Sequence, residues 1–183
     1  MEKSLLFVDK FGGSSVASST QFQKVKNIVL AKPNRQVVVV SALGKENKDD
    51  SKITDLLYLL HAHIKYHVDY TNILNLIKTR YIKVRDELNI DYKIEEEFDI
   101  IEKNLNESQD YLVSRGEYLC AKLMSAYLGF KFVDSKDLII FDYDGKINNE
   151  KTEEAIKKHI DLSEKVVVPG FYGAYPNGDI HLL

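Results

Sequence analysis

Four valines in a row, Val37-Val38-Val39-Val40, constrain the fold of this chain more than any other feature. Such a run is β-branched throughout and has no polar alternation, so both of its faces need an apolar cover. That is the situation of a central strand in a parallel sheet with helices on both sides. A buried strand is therefore predicted over residues 36–42, and the apolar residues ahead of it predict another buried strand over 5–11. Residues 18–31 read as a helix with Phe22, Val25, Ile28 and Val29 on one side, stopped by Pro33.

Residues 53–105 are expected to be almost wholly helical. Ile73, Leu76, Ile77, Tyr81, Val84 and Leu88 share one stripe, and Ile94, Phe98, Ile101 and Leu105 another. A further helix is predicted over 108–128, closed by Gly129. Strand-like runs return at 130–133, 138–141, 166–168 and 179–183, with a charged helix over 150–162. This alternation predicts an α/β sandwich around a mostly parallel sheet.

Bulk properties narrow the function classes. At 183 residues the chain suits one domain or one lobe of a larger enzyme. A net charge of −3 gives no reason to expect nucleic acid. Asp9 and Lys10 interrupt the first apolar run, which argues against a signal peptide, and no stretch approaches the ~18 apolar residues of a membrane helix. The single cysteine, Cys120, fits a reducing, cytoplasmic setting, and its apolar neighbours predict a buried structural thiol. The chain stops in the apolar run Ile180-His181-Leu182-Leu183, which reads as a truncated strand.

Ligands of open α/β sheets sit beyond the carboxyl ends of the strands. At the first such end stands Lys10-Phe11-Gly12-Gly13-Ser14-Ser15, neither a Walker A loop nor a Rossmann fingerprint. The glycines allow close backbone approach to an anion, the following helix offers its positive end, and the lysine supplies a full charge. The second end is Ser41-Ala42-Leu43-Gly44, followed by a polar excursion over 45–52 and by Thr54-Asp55-Leu56-Leu57. Thr54 reads equally as the N-cap of its helix. The third is Pro169-Gly170-Phe171-Tyr172-Gly173, whose glycines are either ligand-facing or plain turn residues.

Ser114-Arg115-Gly116-Glu117 admits two readings. Serine at N-cap with glutamate at N3 would be a capping box. Alternatively the carboxylate holds a substrate ammonium, and Gly116 lets something approach the helix backbone. His61, His63 and His67 lack a third ligand type at metal spacing, and Glu95-Glu96-Glu97 sits in the first turns of its helix; both are expected to be solvated faces. No metal site is expected.

With these segments in order, the chain resembles the aspartokinases, members of the amino-acid kinase family. The residues that carry the resemblance are Lys10-Phe11-Gly12-Gly13-Ser14-Ser15-Val16, Val39-Val40-Ser41-Ala42-Leu43-Gly44, Ser114-Arg115-Gly116-Glu117-Tyr118-Leu119 and Val168-Pro169-Gly170-Phe171-Tyr172-Gly173. The resemblance implies a three-layer αβα sandwich. It also implies transfer of phosphate from ATP, carried with Mg²⁺, to L-aspartate, giving 4-phospho-L-aspartate for lysine, methionine and threonine biosynthesis. In those terms Lys10 is catalytic. Lys10, Phe11, Gly12, Gly13 and Ser14 form the phosphate site, while Ser41, Thr54, Glu117, Gly170 and Phe171 hold the amino acid.

The family pattern continues past this point into an arginine- and aspartate-bearing segment, a nucleotide lobe and regulatory ACT domains. The resemblance thus implies that residues 1–183 are the N-terminal, aspartate-binding lobe, weakly active or inactive alone, of a homo-oligomeric full-length form. Two alternatives stay open: a different amino-acid kinase, and a non-catalytic lobe or subunit that binds an anion or amino acid.

Overall fold

The valine run is the second strand of a four-stranded parallel sheet. In the computed structural model, which describes residues 7–183, β1 (Phe7–Phe11) and β2 (Arg35–Val40) lie side by side, with Val8 opposite Val37 and Phe11 opposite Val40. β3 (Lys131–Phe132) and β4 (Val166–Pro169) complete the order β1-β2-β4-β3. Alternate valines serve different layers. Val38, Val40 and Val167 enter the main core, whereas Val37, Val39, Val166 and Val168 join Val133, Leu138 and Ile160 on the opposite face. The period-two geometry of a strand thus splits one apolar run between two cores.

Crossover handedness places the helices. α1 (Ser19–Leu30) links β1 to β2, and α6 (Asn149–His159) lies between β3 and β4, so the two crossovers run in opposite directions along the sheet. Right-handed connections then put α1 and α6 on opposite faces. Phe22, Val25 and Val29 of α1 are accordingly in the main core, and Ile160, at the end of α6, is in the second. Between β2 and β3 come α2 (Ile53–Lys65), α3 (Thr71–Glu87), α4 (Ile94–Lys103) and α5 (Gln109–Leu128), all contributing to the main core. α5 is buried nearly all round and ends on Gly129 in the left-handed conformation, as its sequence predicts. β5 (Tyr172–Ala174) and β6 (Ile180–Leu182) form a separate antiparallel pair. Among the described residues no helix is long and apolar enough to cross a membrane.

Several expectations need correction. Leu5 and Leu6 lie outside the described residues, and Phe7 and Val8 are exposed because β1 is an edge strand. Ile28 and Leu76 turn to solvent rather than into their stripes. Residues 138–141 are not a strand. They follow a short 3-10 turn, Ser135–Asp137, and make only isolated bridges, Ile140 to Ala174 and Phe141 to Ile147. The residues around 180–182 pair with the hairpin rather than with the parallel sheet.

Candidate functional site

Because β1, β2 and β4 run parallel, their carboxyl ends share one edge of the sheet. A cavity of about 840 Å³ opens there. Lys10, Gly13, Ser14, Ser41, Thr54, Glu117, Gly170 and Phe171 all line it, although they come from five separate stretches of the sequence. Phe11 and Gly12, also expected in the phosphate loop, do not. The Phe11 side chain turns into the core, and Gly12 caps the 3-10 turn Gly13–Val16 with ordinary extended dihedrals. That turn separates the glycines from α1, whose first turn is capped by Ser18, so the loop is not followed directly by a helix end.

The two loops that shape the cavity interlock through their backbones. The N–H of Gly44 donates to the carbonyl of Gly13 at 3.0 Å. A Cβ on Gly44 would stand 2.6 Å from the Gly13 carbonyl carbon, so no other residue fits without displacing the loop. At the base, Ile53 N–H donates to Leu43 O at 3.1 Å and closes the polar excursion into a loop. Arg80 of α3 rivets these segments: Nη2 donates to Gly44 O at 2.8 Å and to Ala17 O at 3.3 Å, while Nη1 pairs with Asp50. Lys83 adds an ion pair with Glu46 at 2.7 Å.

Thr54 is not an N-cap. Its helix begins one residue earlier with Lys52 at the cap position, which leaves the Thr54 side chain for the cavity. The capping-box reading of Ser114 and Glu117 also fails, because α5 begins at Gln109 with Ser108 Oγ accepting the Tyr111 N–H at 3.0 Å. Ser114 through Glu117 therefore sit inside a helix. Gly116 marks where α5 crosses the site loop: a Cβ there would stand 2.8 Å from Ala42 Cβ and 3.1 Å from Leu57 Cδ1. Tyr81 fixes the crossing by donating to the Gly116 carbonyl at 2.7 Å.

Glu117 is 3% exposed. Its Oε1 accepts the Ala42 N–H at 3.1 Å, whereas Oε2 is buried without a hydrogen-bond partner among the described residues. Burial pushes its carboxyl up to about 7, opposed by the Ala42 amide and by the charges of Arg115 and Lys10. Beyond β4, Gly170 N–H donates to Val40 O at 2.8 Å, and Phe171 is held at a φ of 74°, a left-handed conformation that costs a bulky residue energy and concentrates at functional sites. The lining has three ammonium groups, from Lys10, Lys45 and Lys52, against the single carboxylate of Glu117. That balance suits an anionic ligand carrying one cationic group. Sequence reasoning passed over Lys45, Lys52 and Tyr58, although lysines at both ends of the polar excursion were a usable signal.

The remaining candidates resolve simply. Cys120 is fully buried, and burial pushes its thiol well up. His63 Nδ1 lies 2.8 Å from Asp69 O, and among the described residues no group of three His, Cys, Asp or Glu could hold a metal ion. Glu95 and Glu96 are surface groups paired with Arg85 and Lys93. Glu97 departs from the expected solvated face: it accepts the Tyr118 hydroxyl at 3.0 Å and lies 3.4 Å from Lys122.

Comparison with known proteins agrees with this architecture. A sequence model of the Amino acid kinase family matches residues 6–182. Aspartokinase 3 of Bacillus subtilis (strain 168) is 32% identical over 189 residues, covering 94% of this chain and 42% of the relative. The aspartate kinase of Clostridium acetobutylicum superposes with a TM-score of 0.93 at 44% identity, covering 96% of this chain and 41% of that one. Aspartokinase III of E. coli, solved with aspartate and ADP, shares the fold at a TM-score of 0.81 and 22% identity, with coverages of 98% and 43%. The chain thus spans less than half the length of these relatives. With a family match over nearly its whole length, and with the parallel-sheet architecture of an aspartate kinase, the chain belongs to the amino acid kinase family.

Proposed function

We propose that residues 1–183 are the aspartate-binding lobe of an ATP-dependent aspartate kinase, a cytoplasmic enzyme that forms homo-oligomers in its full-length form. The observation that carries the reading is Glu117: a buried carboxylate with one oxygen anchored to Ala42 and the other unpartnered among the described residues, in a cavity whose other charged side chains are the lysines Lys10, Lys45 and Lys52. Such an oxygen is matched by an ammonium donor, and the surrounding lysines match carboxylates and phosphates. The similarity to aspartokinases supports aspartate as the amino acid, and the aspartate and ADP bound by the E. coli relative support ATP as the phosphoryl donor. Coverage of under half of each relative supports the assignment to a lobe.

In the proposed reaction a side-chain carboxylate oxygen of aspartate attacks the γ-phosphorus of ATP. The bond from that phosphorus to the bridging oxygen breaks, and ADP leaves with the electron pair. Glu117 orients the substrate through its ammonium, and Ser41 and Thr54 offer hydroxyl donors to its carboxylates. Lys10 offsets the charge on the moving phosphoryl group, while Gly13 and Ser14 present backbone to it. Positioning and electrostatics do most of the work in such transfers. Mg²⁺ would arrive with the nucleotide and neutralise phosphate charge. The lobe alone binds aspartate and turns over little.

Calorimetric titration of the chain with L-aspartate tests this, with Glu117→Gln as control. Saturable binding to the native chain, lost in the variant, is expected. No binding of aspartate, or equal binding of L-glutamate, overturns it.

A further inference from the structure

The function proposed above uses Glu117 and leaves its neighbour Arg115 without a task. Side chains two positions apart on a helix point roughly 200° apart, and the two face different cavities. Arg115 lines a second cavity of about 630 Å³ between the start of α5 and the β5–β6 hairpin. Arg115 is 7% exposed, and its guanidinium stands among three rings, 4.6 Å from the centre of Tyr111, 4.5 Å from Tyr118 and 5.6 Å from Tyr172. Nε donates to Tyr111 O at 3.2 Å, and Nη2 donates to Ser114 Oγ at 2.9 Å. Among the described residues no carboxylate pairs with it and no acceptor meets Nη1. A guanidinium this deep without a counter-ion is costly, and ring faces offset only part of that cost.

The charges around the cavity define what would complete it. Asp110 is engaged by the His181 ring, 3.1 Å away, and by the Leu182 N–H at 3.2 Å. That leaves Arg115 and Lys136 as cations, with Glu107 and Asp179 as anions. Among the described residues neither Glu107 nor Asp179 forms an ion pair, and Tyr111 and Tyr175 supply ring surface. A bare anion would meet two carboxylates and a bare cation two basic groups, whereas a molecule carrying both charges satisfies each pole. The volume lies within the range of small-molecule sites.

We infer that this second cavity binds a free amino acid as a zwitterion, its carboxylate on Arg115 and its ammonium on Glu107 and Asp179. This does not depend on the function proposed for the first cavity. The test is an NMR titration of the ¹⁵N-labelled chain with glycine, acetate and methylammonium, each carrying one or both charges. The Arg115 Nε signal is identified by its disappearance in Arg115→Lys. Glycine is expected to shift that signal saturably, together with the amides of Glu107 and Asp179, and to do so also in Glu117→Gln, which disables the first cavity. Glu107→Gln, a surface change that leaves the fold intact, is expected to weaken glycine about tenfold, the loss of one charge-assisted hydrogen bond. No saturable shift, an equal response to acetate, or an unchanged affinity in Glu107→Gln overturns the inference.

Discussion

Glu117 and Ala42 are joined by a hydrogen bond of 3.1 Å between a carboxylate oxygen in the middle of α5 and a backbone amide just past the central strand. The bond holds the acid in place while burial opposes its ionisation. A carboxyl raised from 4.5 to about 7 keeps its proton in the folded chain where the unfolded chain has lost it. Folding stability therefore falls as pH rises from about 4.5 to about 7, then levels off, with a total loss on the order of 3 kcal/mol. Urea denaturation across this range should show the slope in the native chain and its disappearance in Glu117→Gln, which keeps the acceptor for Ala42. An ammonium-bearing ligand should lower the carboxyl's titration midpoint, read by ¹³C NMR of the side chain.

Gly116→Ala tests the helix crossing. Alanine adds up to about 1 kcal/mol of helix propensity, but the new methyl would stand 2.8 Å from Ala42 Cβ. Overpacking of this kind costs about 1–3 kcal/mol, so a net loss in the urea midpoint is expected. A gain in stability would show that the crossing relaxes freely.

Arg80 holds Ala17, Gly44 and Asp50 together from a helix that does not line the cavity. Arg80→Met should lower stability by about 2 kcal/mol through the loss of charge-assisted hydrogen bonds. It should also weaken aspartate binding several-fold and shift the Gly13 and Gly44 amide signals. Arg80→Lys should recover part of the affinity. A loss of stability with unchanged affinity would reduce Arg80 to a purely structural brace.

Phe171 supplies a contrast between two substitutions. At a φ of 74° glycine is unstrained, while a β-branched side chain is strongly disfavoured. Phe171→Gly should therefore change stability by less than about 1 kcal/mol, and Phe171→Val should cost about 1–2 kcal/mol more. Thermal denaturation of the pair gives the comparison.

Much of this was legible in the chain itself, for definite reasons. The valine run announced β2 because nothing else tolerates four such residues covered on both sides. The glycine and hydroxyl positions beyond three strand ends marked the cavity because parallel strands bring those ends together. Local signals misled where a pattern had two physical causes. Ser114 and Glu117 have the spacing of a cap, but the cap is Ser108, six residues earlier, and the same spacing inside a helix carries no such meaning. Leu138–Phe141 has the apolarity of a strand, yet its N–H groups go to Ser135, to the Thr152 hydroxyl and to Ala174, which leaves it only isolated bridges. Lys45, Lys52 and Arg80 stayed hidden because exposed or amphipathic cations acquire a role only once distant segments meet.

The interlocked pair Gly13 and Gly44, with the Leu43–Ile53 bond beside it, has a consequence for how such chains can vary in length. Residues inserted next to Gly13 or Gly44 would have to preserve a backbone contact with no room for even a methyl group, whereas residues inserted between Lys45 and Lys52 fall outside a base that is already closed. Length variation in this region is thereby channelled into one loop, and the Gly13–Gly44 and Leu43–Ile53 contacts beneath it are left in place.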